Sequence, residues 1–487
     1  MIALVLAVLL STSSATAAAP RTLELPGVGI VEVDAPEGVP RRVAVLLSGE
    51  GGLRDDGRSL AAALSARGTL VLSLDTRTYL ARRLGAHCAY PAGDLESLAQ
   101  RAEKALGLPE YRRPFLVGHA LGAAAVWAAL AQAPEGTFAG GVELAPCPGR
   151  PLGIPLCAGA GPEPRRTARG DVPADGARAS APLAIVSGAE DRACPASDAV
   201  AFGRGRDVGV TVLPGIGHAL DPADRWADAT VAAIERIEAI APAPSTPVAS
   251  GQVGAAAPSS AAPDVEGLPL VEVPSAKAGA RLAVLLTGDG GWVGLDKEVS
   301  RALSDAGVAV VGLDSLRYFW RRRTPEETAA DVARVFAHYR AAWGRRELIL
   351  LGYSRGADIV PFVATRLPPD QRAALALVAM LGPGTFAEFE VHMIDLFSSR
   401  RRSAATSTEA AVRGSGGALR FLCVQGDDEK DSLCPHLADL PWVERVVLPG
   451  GHHFDRDYAK LARIVNDAAG APSSRPRGAV PGGSGSP

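Results

Sequence analysis

The residues most able to do chemistry are Leu350-Leu351-Gly352-Tyr353-Ser354-Arg355-Gly356. An apolar run enters Gly-x-Ser-x-Gly and a helical stretch follows. A serine on such a strand-to-helix turn projects its hydroxyl above a sheet, where it can attack a carbonyl. It then needs a base to take its proton and an acid to orient that base. Both occur downstream in the order Ser, acid, His. The strand Phe421 to Gly426 releases the acidic loop Asp427 to Pro435, and Val446-Val447-Leu448-Pro449 leads into Gly450-Gly451-His452-His453.

The first half of the chain repeats this template. Val43 to Gly52 matches Leu282 to Gly291, and Tyr79 with Arg82-Arg83 matches Tyr318 with Arg321-Arg322. At the serine position of Leu116-Val117-Gly118-His119-Ala120-Leu121-Gly122 stands Ala120, so only the second half has the nucleophile. Aligned on Leu-Pro-Gly, His218 falls on His453, which makes His453 the base and His452 its neighbour. Aligned on Cys-Pro, Asp191 falls on Asp431; aligned on the preceding glycine, it falls on Glu429. Asp431 is the expected acid, with Glu429 in reserve.

The developing oxyanion needs two donors. One is the N–H of Arg355, beside the nucleophile. The other comes from Thr287 to Trp292, with Asp289 or Gly290 in place to donate. That glycine-rich loop lacks the Gly-Lys-Ser/Thr ending of a phosphate cradle. No Cys-x-x-Cys or Cys/His cluster marks a zinc site. Neither a cofactor nor a metal is expected.

Positioning these groups takes strands that alternate with helices. The apolar runs are continuous, as in parallel strands covered on both faces. Thr324-Pro325-Glu326-Glu327 opens a helix as a capping box with Pro at its first position. The pattern predicts two tandem α/β-hydrolase-like, doubly wound, mostly parallel sheets. They occupy residues 22–240, without a nucleophile, and 265–470, which is catalytic. A flexible Ala/Pro/Ser-rich linker covers 241–264, and residues 471–487 form a disordered tail.

The formal net charge is −3 over 487 residues, with no broadly basic domain, which argues against nucleic acid as a partner. Past the N-terminus no apolar run reaches membrane-spanning length. Ile2 to Leu10 and Ala15-Thr16-Ala17 read as a secretory signal over 1–19. Six cysteines divide four and two between the halves, which permits disulfides in an oxidising compartment.

Gly288-Asp289-Gly290-Gly291-Trp292, Tyr318-Phe319-Trp320 with Thr324-Pro325-Glu326, Gly352 to Asp358, and Gly451-His452-His453-Phe454-Asp455 carry a resemblance. Over roughly 265–470 the chain resembles the bacterial virulence VirJ family, and its two-part length resembles the AcvB form of that family. The resemblance implies a periplasmic serine esterase that releases lysine from lysyl-phosphatidylglycerol at a membrane surface. It also implies ties to type IV secretion proteins as partners. On such a substrate Asp289 and Asp358 could pair with the lysyl ammonium groups. Arg317 and Arg321 could meet the phosphate or an anionic membrane. Core packing competes with a lipid-facing role for Tyr318, Phe319 and Trp320. The alternatives are a general carboxylesterase and a non-catalytic secretion accessory protein.

Overall fold

A computed structural model describes residues 21–25, 28–240, 263–391 and 406–471. The expected signal over 1–19 lies outside the described residues. So do all but the end of the expected linker and all but the start of the expected tail.

In the first half, eight strands form one sheet: β1 (Arg21–Leu25), β2 (Gly29–Asp34), β3 (Arg42–Leu47), β4 (Thr69–Leu74), β5 (Phe115–His119), β6 (Gly140–Leu144), β7 (Leu183–Gly188) and β8 (Gly209–Leu213). Their spatial order is β1-β2-β4-β3-β5-β6-β7-β8. β2 runs antiparallel to both of its neighbours, β1 and β4, and the remaining pairings are parallel. The second half repeats the sheet with β9 (Leu270–Val273), β10 (Arg281–Leu286), β11 (Ala309–Leu313), β12 (Glu347–Tyr353), β13 (Leu375–Leu381), β14 (Phe421–Gly426) and β15 (Val443–Leu448). Its order is β9-β11-β10-β12-β13-β14-β15, with only β9 antiparallel. Both are α/β-hydrolase sheets.

The central strands are apolar along their whole length because helices cover both faces. All six residues of β3 and all five of β11 are buried. Two apolar clusters flank each sheet. The helix Pro325–Trp343 begins with the expected capping box. Glu327 N–H donates to Thr324 Oγ1 at 3.1 Å, and Thr324 N–H donates to Glu327 Oε2 at 2.8 Å.

Tyr318, Phe319 and Trp320 are core residues, at most 2% exposed. Trp320 also joins the halves. Its indole N–H donates to Leu108 O at 2.9 Å, its ring packs on Tyr111, and Lys104 donates to its carbonyl oxygen. Lys104 further pairs with Glu390 at 3.2 Å.

All six cysteines are paired, as Cys88–Cys157, Cys147–Cys194 and Cys423–Cys434. The first two bridges pin long loops of the first half. The third ties β14 to the acidic loop that follows it.

Candidate active site

Backbone crowding dictates the elbow. A Cβ on Gly352 would lie 2.3 Å from Gly356 O, and one on Gly356 would lie 2.0 Å from Leu286 O. Any side chain there would push the helix Arg355–Arg366 off the sheet. Ser354 between them has φ 52° and ψ −120°, a conformation that non-glycine residues rarely adopt. Its N–H donates to Leu381 O at 2.9 Å, which fixes the turn on the end of β13.

The next residue after Leu381 brings a histidine close. Gly382 has φ +60°, and a Cβ on it would lie 2.8 Å from His452 Cε1. His452 also stacks on Tyr353, with ring centroids 5.2 Å apart. Ser354 and His452 therefore flank the same pair, Leu381-Gly382. His452 Nδ1 lies 2.5 Å from Glu429 Oε1, and Glu429 Oε2 accepts the Gly426 N–H at 2.7 Å. Burial opposes ionisation of Glu429, but the bonds from His452 and Gly426 outweigh it and hold the carboxyl below its usual range.

The structure thus pairs Glu429 with His452, where the sequence reading expected Asp431 with His453. Asp431 is exposed and bonds to neither histidine. His453 is exposed as well, and its Nδ1 meets the Tyr353 hydroxyl at 3.1 Å. The cause is loop length. Gly188 packs under Ile216 O and Gly217 O just as Gly426 packs under Gly450 O and Gly451 O. His218 therefore corresponds to His452, because the first half has one extra residue after Leu-Pro-Gly. The acid loop differs in the opposite sense. Asp191 N–H donates to Gly188 O and Glu429 N–H to Gly426 O, both at 3.3 Å, but two more residues separate Glu429 from its cysteine.

Arg355 begins its helix, so its N–H has no intrahelical acceptor and is free for an oxyanion. Gly288 lies against the nucleophile: a Cβ on it would be 3.4 Å from Ser354 Cβ. That contact brings the Asp289-Gly290 loop beside the serine. The Asp289 side chain accepts from Arg355 Nε at 2.6 Å, and Arg355 also donates to the carbonyls of Glu388 and Glu390. Asp358 accepts the Gly384 N–H at 2.6 Å. Burial drives its carboxyl well above the usual range, and Asp289 adds to the shift.

The two arginines expected to meet phosphate part company. Arg317 is exposed, and its N–H caps onto Asp314 Oδ1 at 3.2 Å. Arg321 Nε donates to Pro109 O of the first half at 3.0 Å. That side chain serves the junction between the halves, a role that no local pattern in the sequence signals.

The first half keeps the same geometry without the hydroxyl. Ala120 has φ 48° and ψ −102°. Asp191 Oδ2 lies 2.8 Å from His218 Nδ1, and Asp191 Oδ1 accepts the N–H groups of Ala193 and Cys194. His119 takes the place of Tyr353: its Nε2 meets His218 O at 2.9 Å, as the Tyr353 hydroxyl meets His452 O at 3.3 Å. Cys194 stands near Asp191 and His218, but its sulfur is bonded to Cys147 and offers no thiolate.

Residues 280–471 match the family model of the bacterial virulence protein VirJ. No curated protein matches the chain. Three similar solved structures each cover less than half of it. Est1E from Butyrivibrio proteoclasticus is 16% identical over 46% of this chain and 100% of its own, with a TM-score of 0.32. XC6422 from Xanthomonas campestris, an α/β serine hydrolase without a lid, is 18% identical over 45% and 94%, with a TM-score of 0.31. A putative dienelactone hydrolase from Klebsiella pneumoniae is 14% identical over 45% and 98%, with a TM-score of 0.34. Over residues 280–471 the chain is thus similar to the bacterial virulence protein family VirJ, on sheets of α/β-hydrolase topology.

Proposed function

We propose that the second half is a serine ester hydrolase using Ser354, His452 and Glu429, and that its substrate is an aminoacyl ester of a phospholipid, lysyl-phosphatidylglycerol in the first instance. The observation that carries the reading is the Glu429–His452 pair beside a serine held in the strained elbow. In the reaction, Ser354 Oγ attacks the aminoacyl carbonyl while His452 takes its proton. The N–H of Arg355 and that of Asp289 or Gly290 receive the oxyanion. Collapse expels the lipid glycerol oxygen, which takes the proton from His452. Water, deprotonated by the same histidine, then frees the amino acid from Ser354.

Acidic groups near the serine support a cationic acyl group. Asp358 is half-buried and forms no ion pair among the described residues, and an arriving ammonium would draw it into its charged form. Asp289 already neutralises Arg355, which leaves Asp358 as the main ammonium partner. Arg317, exposed beyond the end of β11, remains a candidate for the phosphate. Three disulfides support an oxidising compartment such as the periplasm.

The test is lysine release from lysyl-phosphatidylglycerol vesicles. Ser354→Ala is expected to abolish it without lowering the melting temperature. Undiminished release by that variant refutes the proposal. Turnover of simple acyl esters with none of the aminoacyl lipid would instead assign a general carboxylesterase.

A further inference from the structure

We propose that the first half binds a small zwitterion, a free amino acid in size and charge, in a cavity built around Glu143. The cavity measures about 250 Å3, and its lining includes Glu143, Trp127, Phe202 and Arg206; its other charged lining residues, Arg150, Arg165, Asp171 and Asp175, each stand in an ion pair. It lies on the opposite face of β6 from Val142 and Leu144, which pack into the core cluster on the other side.

Glu143 is only 2% exposed, and its Oε1 has no hydrogen-bond partner. An unpaired carboxyl at such a depth is costly to keep. The second half does without one. Leu144 O accepts the Ala120 N–H as Leu381 O accepts the Ser354 N–H, so the counterpart of Glu143 is Met380. Met380 is buried in one continuous apolar cluster that also includes Ala387, Val391 and Val412. The first half instead has an open cavity at this position, with a carboxyl in its wall.

Across the cavity the Arg206 guanidinium lies over Phe202 at 4.0 Å and Trp127 at 5.2 Å. Its Nε is buried and also lacks a partner. Glu143 and Arg206 form neither a hydrogen bond nor an ion pair with each other among the described residues. A pure cation would satisfy Glu143 and leave Arg206 unmet, and a pure anion would do the reverse. A molecule with an ammonium for Glu143 and a carboxylate for Arg206 satisfies both. This site needs no turnover at Ser354 and stands independently of the proposed reaction.

The experiment is calorimetric titration of the full chain with glycine, L-leucine, L-lysine and L-glutamate. Cadaverine and acetate serve as probes carrying one kind of charge. At least one amino acid is expected to bind one per chain, about tenfold or more tighter than cadaverine or acetate. Glu143→Met and Arg206→Gln should each weaken that binding by about tenfold or more. Methionine is the residue the second half folds around at this position. Glu143→Gln, which retains the shape, should weaken binding likewise. The proposal is overturned if no amino acid binds, if cadaverine or acetate binds equally well, or if the Glu143 variants bind as the parent does.

Discussion

Replacing Glu429 and Asp431 one at a time separates the two possible acids. Glu429→Gln retains a carbonyl acceptor for the Gly426 N–H and so preserves the loop. It removes the charge that faces the imidazolium formed when His452 takes the serine proton. At a charge separation of about 4 Å and an effective dielectric of about 20, that attraction is about 4 kcal/mol. At about 1.4 kcal/mol per decade, kcat should fall about 1,000-fold. Asp431 is exposed and touches neither histidine, so Asp431→Ala should stay within about twofold of the parent, its charge screened by salt. His452→Ala should cost about 10,000-fold or more. His453→Ala should cost about threefold, through the lost contact with the Tyr353 hydroxyl. The assay is steady-state hydrolysis of a chromogenic acyl ester, with thermal melting to confirm folding. A thousandfold loss in Asp431→Ala or His453→Ala, with Glu429→Gln near the parent rate, would refute the reasoning.

Gly382→Ala would place a methyl group against the His452 ring, so kcat should drop about 100-fold while KM changes little; an unaffected kcat would remove His452 from the reaction. Burial pushes the Glu143 carboxyl up to about 8. A raised native pKa contributes stability below the unfolded value of about 4.3 that is lost as pH rises toward 8. The melting advantage of Glu143→Met over the parent should therefore grow between pH 5 and pH 8, and parallel melting curves across that range would contradict it. Lys104→Met removes the bond to Trp320 and the ion pair to Glu390, whose carbonyl holds Arg355. It should lower kcat/KM about fivefold, with recovery in Lys104→Arg; an unchanged value would mean that the halves are joined without effect on the site.

The elbow was fully legible in the sequence because its two glycines are imposed by local backbone contacts, which sequence spacing reports directly. The strands were legible for a similar reason, since burial on both faces leaves unbroken apolar runs. Loop lengths were not, because insertions there cost little and leave no periodic mark. One additional residue before His218 and two before Cys434 were enough to shift the expected base and acid to neighbouring positions. The remaining misses are long-range. Trp320 and Arg321 contact residues more than 200 positions away, and the open wall around Glu143 depends on what fails to fill it.

Ala120 holds the elbow without any reaction to perform there. The strain of that turn, on the order of 1–3 kcal/mol, is therefore a property of the crossover from strand to helix rather than of catalysis. The chain carries the same backbone tension twice, and only one of the two turns bears a hydroxyl. Chemistry and architecture are separable at that point: a hydroxyl can be added to or removed from either turn with little consequence for folding, because the turn is held by backbone contacts that both halves share.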